Sequence, residues 1–305
     1  MRALVIGGSG FVGSHLVDAL LAQGVRVRVY DRSAELFRPV PAGVEFRLGE
    51  VGDTASLAEA LADVDQVFHL VSTTVPSTSN LDPVADIQGN LINTVRLLEL
   101  MRAAGVKRLV FLSSGGTVYG IPETDPVAES HPLRPISSYG IVKAAIENYL
   151  YMEHRLHGLE YVALRPSNPY GPRQGHGGVQ GVIGTFLWKL AQGEPIQLWG
   201  DGGIVRDFIH VRDLAQLCVR AVASGLVGSY NVGSGQGHSI NEIIECIRKI
   251  TGLPVEPVRK PGRGFDVPRV VLDITAIRRA TGWAPAITLE EGITETWHWA
   301  QGQLK

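Results

Sequence analysis

The sequence predicts an α/β protein, a doubly wound parallel sheet followed by a smaller C-terminal α/β unit that binds substrate. Three observations point there. Near-continuous apolar strands alternate with helical patterns through residue 165, a glycine-rich turn joins the first strand to the first helix, and the alternation breaks after Arg165. The break is a loop, Pro166 to Gly178, holding three prolines and four glycines, where a second architecture begins. The expected division is therefore 1–165, with later segments returning to that unit, and 166–305 for the rest.

Arg2 to Ile6 reads as a strand buried on both faces, and a helical pattern through Leu16, Leu20 and Leu21 stops at Gly24. Between them stands Gly7-Gly8-Ser9-Gly10-Phe11-Val12-Gly13, spaced so that the backbone turns sharply at Gly7, approaches a pyrophosphate at Gly10 and seats the helix on the strand at Gly13. A glycine triplet alone is weak evidence. Here a second strand, Val25 to Tyr30, ends in Asp31, an acid placed to bond a ribose 2′-hydroxyl. That is the context of a dinucleotide-binding Rossmann sheet. Asp31 would repel a 2′-phosphate, which favours NAD over NADP even with Arg32 adjacent.

Val44 to Leu48 is the next strand, Asp53 the N-cap of a helix to Ala62, and Gln66 to Val71 another strand. Leu81 to Gly105 contains one long helix with Ile87, Leu91, Val95, Leu98 and Met101 at helical spacing, and Lys107 to Leu112 returns as a strand. A helix from Tyr139 to about His157 and a strand from Glu160 to Leu164 complete the first unit. Beyond the break, Gly181 to Gln192 and Asp213 to Ser224 read as helices, and Ile196 to Trp199 and Arg206 to His210 as short strands. Two capping boxes, Ser239 with Glu242 and Thr288 with Glu291, each open a helix.

Composition narrows the functional classes. Of 305 residues 45% are apolar and 19% charged, as in a globular enzyme, and a net charge of -2 argues against a nucleic-acid surface. No apolar run reaches the roughly 18 residues of a membrane span, and the chain enters a strand directly with no signal peptide, so a cytoplasmic location without membrane association is expected. Cys218 and Cys246 lack a CxxC pattern or histidine partners and read as buried small hydrophobes, with no metal site.

Tyr139 and Lys143 lie four residues apart on one helix, hence on one face. An ammonium near a phenol, whose reference pKa is about 10, favours the phenolate and makes it a general base nearer neutral pH. Such a pair is common by chance as a half-buried aromatic beside a surface lysine, so its weight comes from the rest of the chain.

Five stretches in order carry a resemblance: Gly7 to Gly13, Ser113-Ser114-Gly115-Gly116-Thr117-Val118-Tyr119-Gly120, Tyr139 with Lys143, Arg165-Pro166-Ser167-Asn168-Pro169-Tyr170-Gly171-Pro172, and Arg206-Asp207-Phe208-Ile209-His210-Val211. Over nearly its whole length the chain resembles the extended short-chain dehydrogenases/reductases, and within them the NAD-dependent UDP-sugar 4-epimerases. The resemblance implies that Gly7, Gly10, Phe11, Val12 and Gly13 hold the pyrophosphate, and Asp31 and Arg32 the adenosine ribose. Glu50, where the family more often has Asp, and Val51 would lie by the adenine; Leu70, Val71, Ser72 and Asn90 would line the cofactor, with Pro166 at the nicotinamide. Thr74 stands where galactose epimerases often carry a lysine. Asn168, Arg206, Arg263 and Asp266 would bind the sugar nucleotide, and Val270, four residues after Asp266, would wall the pocket beside C2 of the sugar, where a tyrosine would exclude an N-acetyl group.

One departure touches the chemistry. Gly115 occupies the place of the family's proton-relaying serine, so Ser114 or Thr117 supplies the hydroxyl, or Tyr139 acts directly on the sugar. A dehydratase is disfavoured because Gly116-Thr117 replaces the usual Asp-Glu pair. A nucleotide-sugar reductase or decarboxylase is a second rival activity, and a non-catalytic NAD-binding sensor is a rival of another class. The resemblance implies a homodimer through paired long helices and favours the UDP-GlcNAc and UDP-GalNAc pair, with UDP-glucose and UDP-galactose as the companion pair, in polysaccharide biosynthesis.

Overall fold

The computed structural model describes residues 1–175, 181–262 and 267–304. Strands β1 (Arg2–Ile6), β2 (Arg26–Asp31), β3 (Val44–Leu48), β4 (Gln66–His69), β5 (Arg108–Leu112) and β6 (Glu160–Pro166) are all parallel. They are interleaved with helices α1 (Phe11–Ala22), α2 (Thr54–Ala60), α3 (Pro83–Asp86), α4 (Asn93–Ala103) and α5 (Ser138–His157). The short strand β7 (Asn168–Tyr170) opens the second part, followed by α6 (Val182–Ala191), β8 (Gln197–Trp199), β9 (Val205–His210) and α7 (Val211–Ala223). Then come β10 (Gly228–Val232), β11 (Gly237–Ser239), α8 (Ile240–Thr251), β12 (Val258–Lys260), β13 (Arg269–Val270), α9 (Thr275–Thr281) and α10 (Leu289–Gly302).

The main sheet has seven strands in the order β10-β6-β5-β4-β1-β2-β3. Strand order reverses between β1 and β4, and a doubly wound sheet opens its ligand crevice there, at the carboxyl ends. β10, which the sequence did not reveal as a strand, pairs with β6 from Gly228 opposite Val162 to Val232 opposite Pro166. Successive strand residues face opposite sides, which splits the core into two layers. Ala3, Val5, Val27 and Val29 pack with Leu16 and Leu20 of α1 and Leu214 and Leu217 of α7. Leu4, Ile6, Tyr30 and Phe111 pack with Leu97 and Met101 of α4 and Val142, Ile146 and Leu150 of α5. A further core, around Phe186, Leu198, Phe208, Ile244 and Trp297, lies between β7, β8 and β9 and helices α6, α8 and α10.

Local chemistry sets the ends of α5, which carries Tyr139. The Ser137 hydroxyl accepts from the Gly140 amide at 3.2 Å, and Gly158 closes the helix in the left-handed conformation at φ 72°. Both capping boxes are present, at Ser239 with Glu242 and Thr288 with Glu291. The long helix expected within 81–105 runs continuously from Pro83 to Ala103 and carries a π-helical stretch, Ile87–Ile92, between α3 and α4, in which Ile87 and Ile92 are each 40% exposed and Asn90 is buried. Cys246 is half-buried where full burial was expected; Cys218 is buried, and both are free thiols. Among the described residues no helix is long and apolar enough to cross a membrane, and no group of three or more acidic, histidine or cysteine side chains could hold a metal.

Three buried histidines give the fold an acid limit. Burial, aided by Arg173, lowers His15 to about 4; burial with Lys143 lowers His69 to about 3; burial with Arg212 lowers His210 to about 3. Each stays neutral in the folded chain, while in the unfolded chain each takes up a proton near pH 6.5. Stability therefore falls as pH drops from about 6.5 toward 4, with a slope of about 1.4 kcal/mol per pH unit for each histidine. Calorimetry at pH 5 should show these three adding about three protons to the uptake on unfolding.

Candidate active site

The cofactor cleft follows from the turn after β1 and the ends of β2 and β4. Gly7 has φ 87°, and a Cβ there would lie 2.9 Å from Val71 Cγ2 across the switch point. At Gly13 a Cβ would fall 2.0 Å from the Gly7 carbonyl oxygen, so only glycine lets α1 sit this close to the turn. Gly10 caps α1 without a side-chain bond, which leaves the first-turn backbone of Phe11 and Val12 as an anion site at a helix N-terminus. The cleft, about 530 Å³, is lined by Gly7, Gly10, Asp31, Arg32, Glu50, Val51, Leu70, Val71 and Ser72. Asp31, which also accepts from the Ser9 amide at 3.0 Å, stands at the end of β2 where a ribose would meet it. A glycine cradle that any Cβ would fill, an uncapped helix start and an acid at the strand end together fit a dinucleotide.

Sequence reasoning also placed Asn90 on the cofactor. In the structure it is buried and not among the lining residues of the cleft; its side chain instead accepts from the Thr73 amide at 2.9 Å and donates to Asp86 at 2.8 Å. Thr73 and Asn93, which line the cleft, were not foreseen. Pro166 is the last residue of β6 and its carbonyl accepts from the Gly115 amide at 2.8 Å.

Tyr139 lies in the first turn of α5, with the side chains of Ser72 and Ser114 beside its hydroxyl, where they favour the phenolate. Lys143, one turn on, is buried, donates to the Leu112 carbonyl at 2.8 Å, and holds its ammonium 4.7 Å from the Phe111 ring centre and 5.5 Å from that of Tyr139. The pair shares one face, as expected. Burial pushes Tyr139 up to about 12, and the carboxylate of Asp86 adds to the rise while the Ser72 and Ser114 side chains oppose it. The physical reason is that the lysine sits over the ring and not at the hydroxyl, while desolvation penalises the phenolate directly. Burial likewise lowers Lys143 to about 8, against the favourable charges of Asp86 and Glu147.

The relay question is narrowed by the same geometry. Ser114 reaches Tyr139, whereas the Thr117 hydroxyl is buried without a hydrogen-bond partner. A Cβ at Gly115 would lie 2.7 Å from the Arg165 carbonyl oxygen and 2.5 Å from Leu272 Cδ1. This backbone has no room for a serine at position 115.

A second cleft of about 490 Å³ is lined by Asn168, Phe186, Lys189, Trp199 and Arg206, among others. Asn168 is fixed by donating to the Asp207 carbonyl at 2.9 Å, and the Asp207 carboxylate accepts from Ser234 and Gly235, binding neighbouring loops together. Val270, on β13, pairs in register with Arg206 and is buried beside Val118, Tyr119, Ala144 and Leu272. Arg263 and Asp266 lie outside the described residues.

Behind Tyr139 stand residues that sequence reasoning missed. Arg165 and Glu147 form a buried ion pair at 2.6 Å, and Asp86 accepts from Ser138, Thr74 and Asn90. The only sequence signal for either was spacing: Glu147 follows Lys143, and Asn90 follows Asp86, by one helical turn.

Fold and site together define an NAD-binding α/β enzyme with a tyrosine–lysine pair beside its cofactor cleft, and residues 3–233 match the NAD dependent epimerase/dehydratase family, to which the chain belongs. Within that family it is similar to UDP-glucose 4-epimerases. The Mycolicibacterium smegmatis UDP-glucose 4-epimerase is 39% identical over 306 residues, covering 97% of each chain. The Thermotoga maritima UDP-glucose 4-epimerase, solved with UDP-glucose, superposes with a TM-score of 0.96 at 36% identity over 100% of both chains. The UDP-N-acetylglucosamine 4-epimerase of Methanobrevibacter ruminantium, solved with UDP-N-acetylmuramic acid, has a TM-score of 0.93 at 31% identity, covering 99% of this chain and 98% of that one.

Proposed function

We propose that this enzyme inverts C4 of UDP-sugars, interconverting UDP-glucose with UDP-galactose and admitting the N-acetylated pair UDP-GlcNAc and UDP-GalNAc. The observation that carries the reading is the Tyr139–Lys143 pair, the ammonium 5.5 Å from the Tyr139 ring centre, with Ser72 and Ser114 beside the phenol hydroxyl. NAD, held in the cleft by the Gly7 to Gly13 turn and Asp31, would supply the hydride acceptor for C4 and the hydride for its return, leaving no net redox. Ser114 passes the proton of the C4 hydroxyl to Tyr139, and Lys143 supplies positive charge beneath the phenol. Asn168 and Arg206, with Arg263 and Asp266, anchor the diphosphate and nucleoside while the sugar turns. In this reading residues 1–165 with β10 serve the cofactor, and the remainder mainly serves the sugar nucleotide.

The test is turnover of each of the four UDP-sugars by the purified NAD-loaded protein, followed through the anomeric protons by NMR. Interconversion without consumption of cofactor is expected. Product formed only with stoichiometric reductant would mean a reductase, loss of water a dehydratase, and no turnover of any of them a sensor.

The wider sugar range rests on Val270. Packed against Val118 and Leu272, it is far smaller than a tyrosine at the same place. Val270→Tyr should reduce epimerisation of the N-acetylated sugars at least tenfold and largely spare UDP-glucose and UDP-galactose. Equal loss on both classes would remove Val270 as the gate.

We also propose a homodimer. On α5, Ile141, Tyr149, Met152 and Leu156 are 55%, 38%, 39% and 66% exposed and recur at helical spacing along one side. A continuous apolar stripe of this kind marks an interaction surface, and a second copy of the same helix matches it. Light scattering at micromolar concentration should give twice the 32.9 kDa chain mass; a monomer would refute the assembly.

A further inference from the structure

The deepest charged group near Tyr139 is one that the chemistry above does not use. Asp86, at the end of α3, is fully buried. Its carboxylate accepts from the Thr74 hydroxyl at 2.6 Å and the Asn90 amide at 2.8 Å on one oxygen, and from the Ser138 hydroxyl at 2.6 Å on the other. These donors come from three segments. Thr74 belongs to the loop after β4, where Ser72 also donates to the Thr74 carbonyl at 2.9 Å, and Ser138 immediately precedes Tyr139. Asn90 lies in the π-helical stretch and holds the Thr73 amide of the same loop. Since Ser72 lies beside the Tyr139 hydroxyl, the carboxylate fixes both the start of α5 and the loop that borders the phenol.

We propose that Asp86 is a positioning residue, a buried anion that ties the 72–74 loop, the π-helical stretch and the N-terminus of α5 into one frame around the Tyr139 hydroxyl. A carboxylate suits this place because it accepts from three donors at once, and because its charge faces Lys143. The charge has a second consequence. The groups around the pair are Asp86 from α3, Lys143 and Glu147 from α5, and His69 from β4, which is neutral. Of these, Asp86 is the one whose charge opposes ionisation of Tyr139, adding to the larger effect of burial.

Two substitutions separate frame from charge. Asp86→Asn keeps the shape and an oxygen for Thr74 and Asn90, while Ser138 can turn to accept from the new amide; only the charge is lost. Asp86→Ala removes the frame as well. With eight tyrosines in the chain, Tyr139 is read as the tyrosinate absorbance difference between each NAD-loaded protein and its own Tyr139→Phe counterpart. In Asp86→Asn the Tyr139 midpoint should fall by about one pH unit or more. Asp86→Ala should lower kcat by about 10²-fold with little change in KM for the sugar nucleotide, since a misplaced base affects the transition state and not the ground state. An unmoved midpoint in Asp86→Asn, or kcat within threefold of wild type in Asp86→Ala, would overturn the proposal. The kcat measurement rests on the epimerase reading, but the titration does not. If the wild-type protein turns over no UDP-sugar, that reading fails and the Tyr139 midpoint alone decides the role of Asp86.

Discussion

Tyr139→Phe should lower turnover by about 10²- to 10⁴-fold, the range of a lost general base, while leaving the fold and NAD binding nearly intact. The ring stays half-buried with the Lys143 ammonium over its face, so packing changes little. What disappears is the hydroxyl beside Ser72 and Ser114, and Ser72 retains its bond to the Thr74 carbonyl. Burial and the Asp86 carboxylate both raise the phenol, to about 12, so Tyr139 needs positive charge nearby to act as a base near neutral pH. An oxidised nicotinamide held in the adjoining cleft would supply such a charge. Progress curves by NMR beside a measurement of retained NAD would check both halves, and activity within tenfold of wild type would remove Tyr139 as the base.

What could be read from the chain was what is local in the chain. Gly7, Gly10 and Gly13 report a turn whose steric demands lie within seven residues, and a Cβ at Gly13 meets the Gly7 carbonyl just as the spacing implied. Asp53, Ser239 and Thr288 announced their helices because a cap reaches only three residues ahead. The π-helical stretch at Ile87–Ile92 was hidden, since Ile87, Leu91, Val95 and Leu98 keep an unbroken helical spacing, and the bond from the Thr73 amide to Asn90 that accompanies it spans 17 residues. Asp86 was missed for the same reason. Its partners stand 12 and 52 residues off, and nothing in the local pattern distinguishes it from a surface acid. Spacing likewise places Lys143 on the same face as Tyr139 without saying whether it meets the ring or the hydroxyl; its ammonium lies 5.5 Å from the ring centre.

Breaking the ion pair behind the site should cost more stability than any other single change discussed. Arg165, at the end of β6, donates through Nη2 to Glu147 at 2.6 Å and through Nε to both its oxygens at 3.1 Å, and through Nη1 to the Tyr119 hydroxyl at 2.7 Å. Both side chains are about 5% exposed, so neither charge has water to fall back on. Arg165→Met leaves the Glu147 carboxylate buried with only the hydroxyls of Ser113 and Ser229 as donors. An uncompensated buried charge of this kind costs about 3–5 kcal/mol, a third or more of the stability of an ordinary domain. Adding Glu147→Gln should recover most of the loss, because the neutral pair no longer demands a counter-ion. Turnover should fall as well, since Glu147 holds Ser113 next to Ser114 and lies one turn from Lys143, so the same pair that steadies the sheet sets the floor beneath Tyr139. Urea unfolding of the two single variants and the double variant gives the coupling directly, and a loss under about 1 kcal/mol in Arg165→Met would show that water or a shifted side chain replaces the guanidinium.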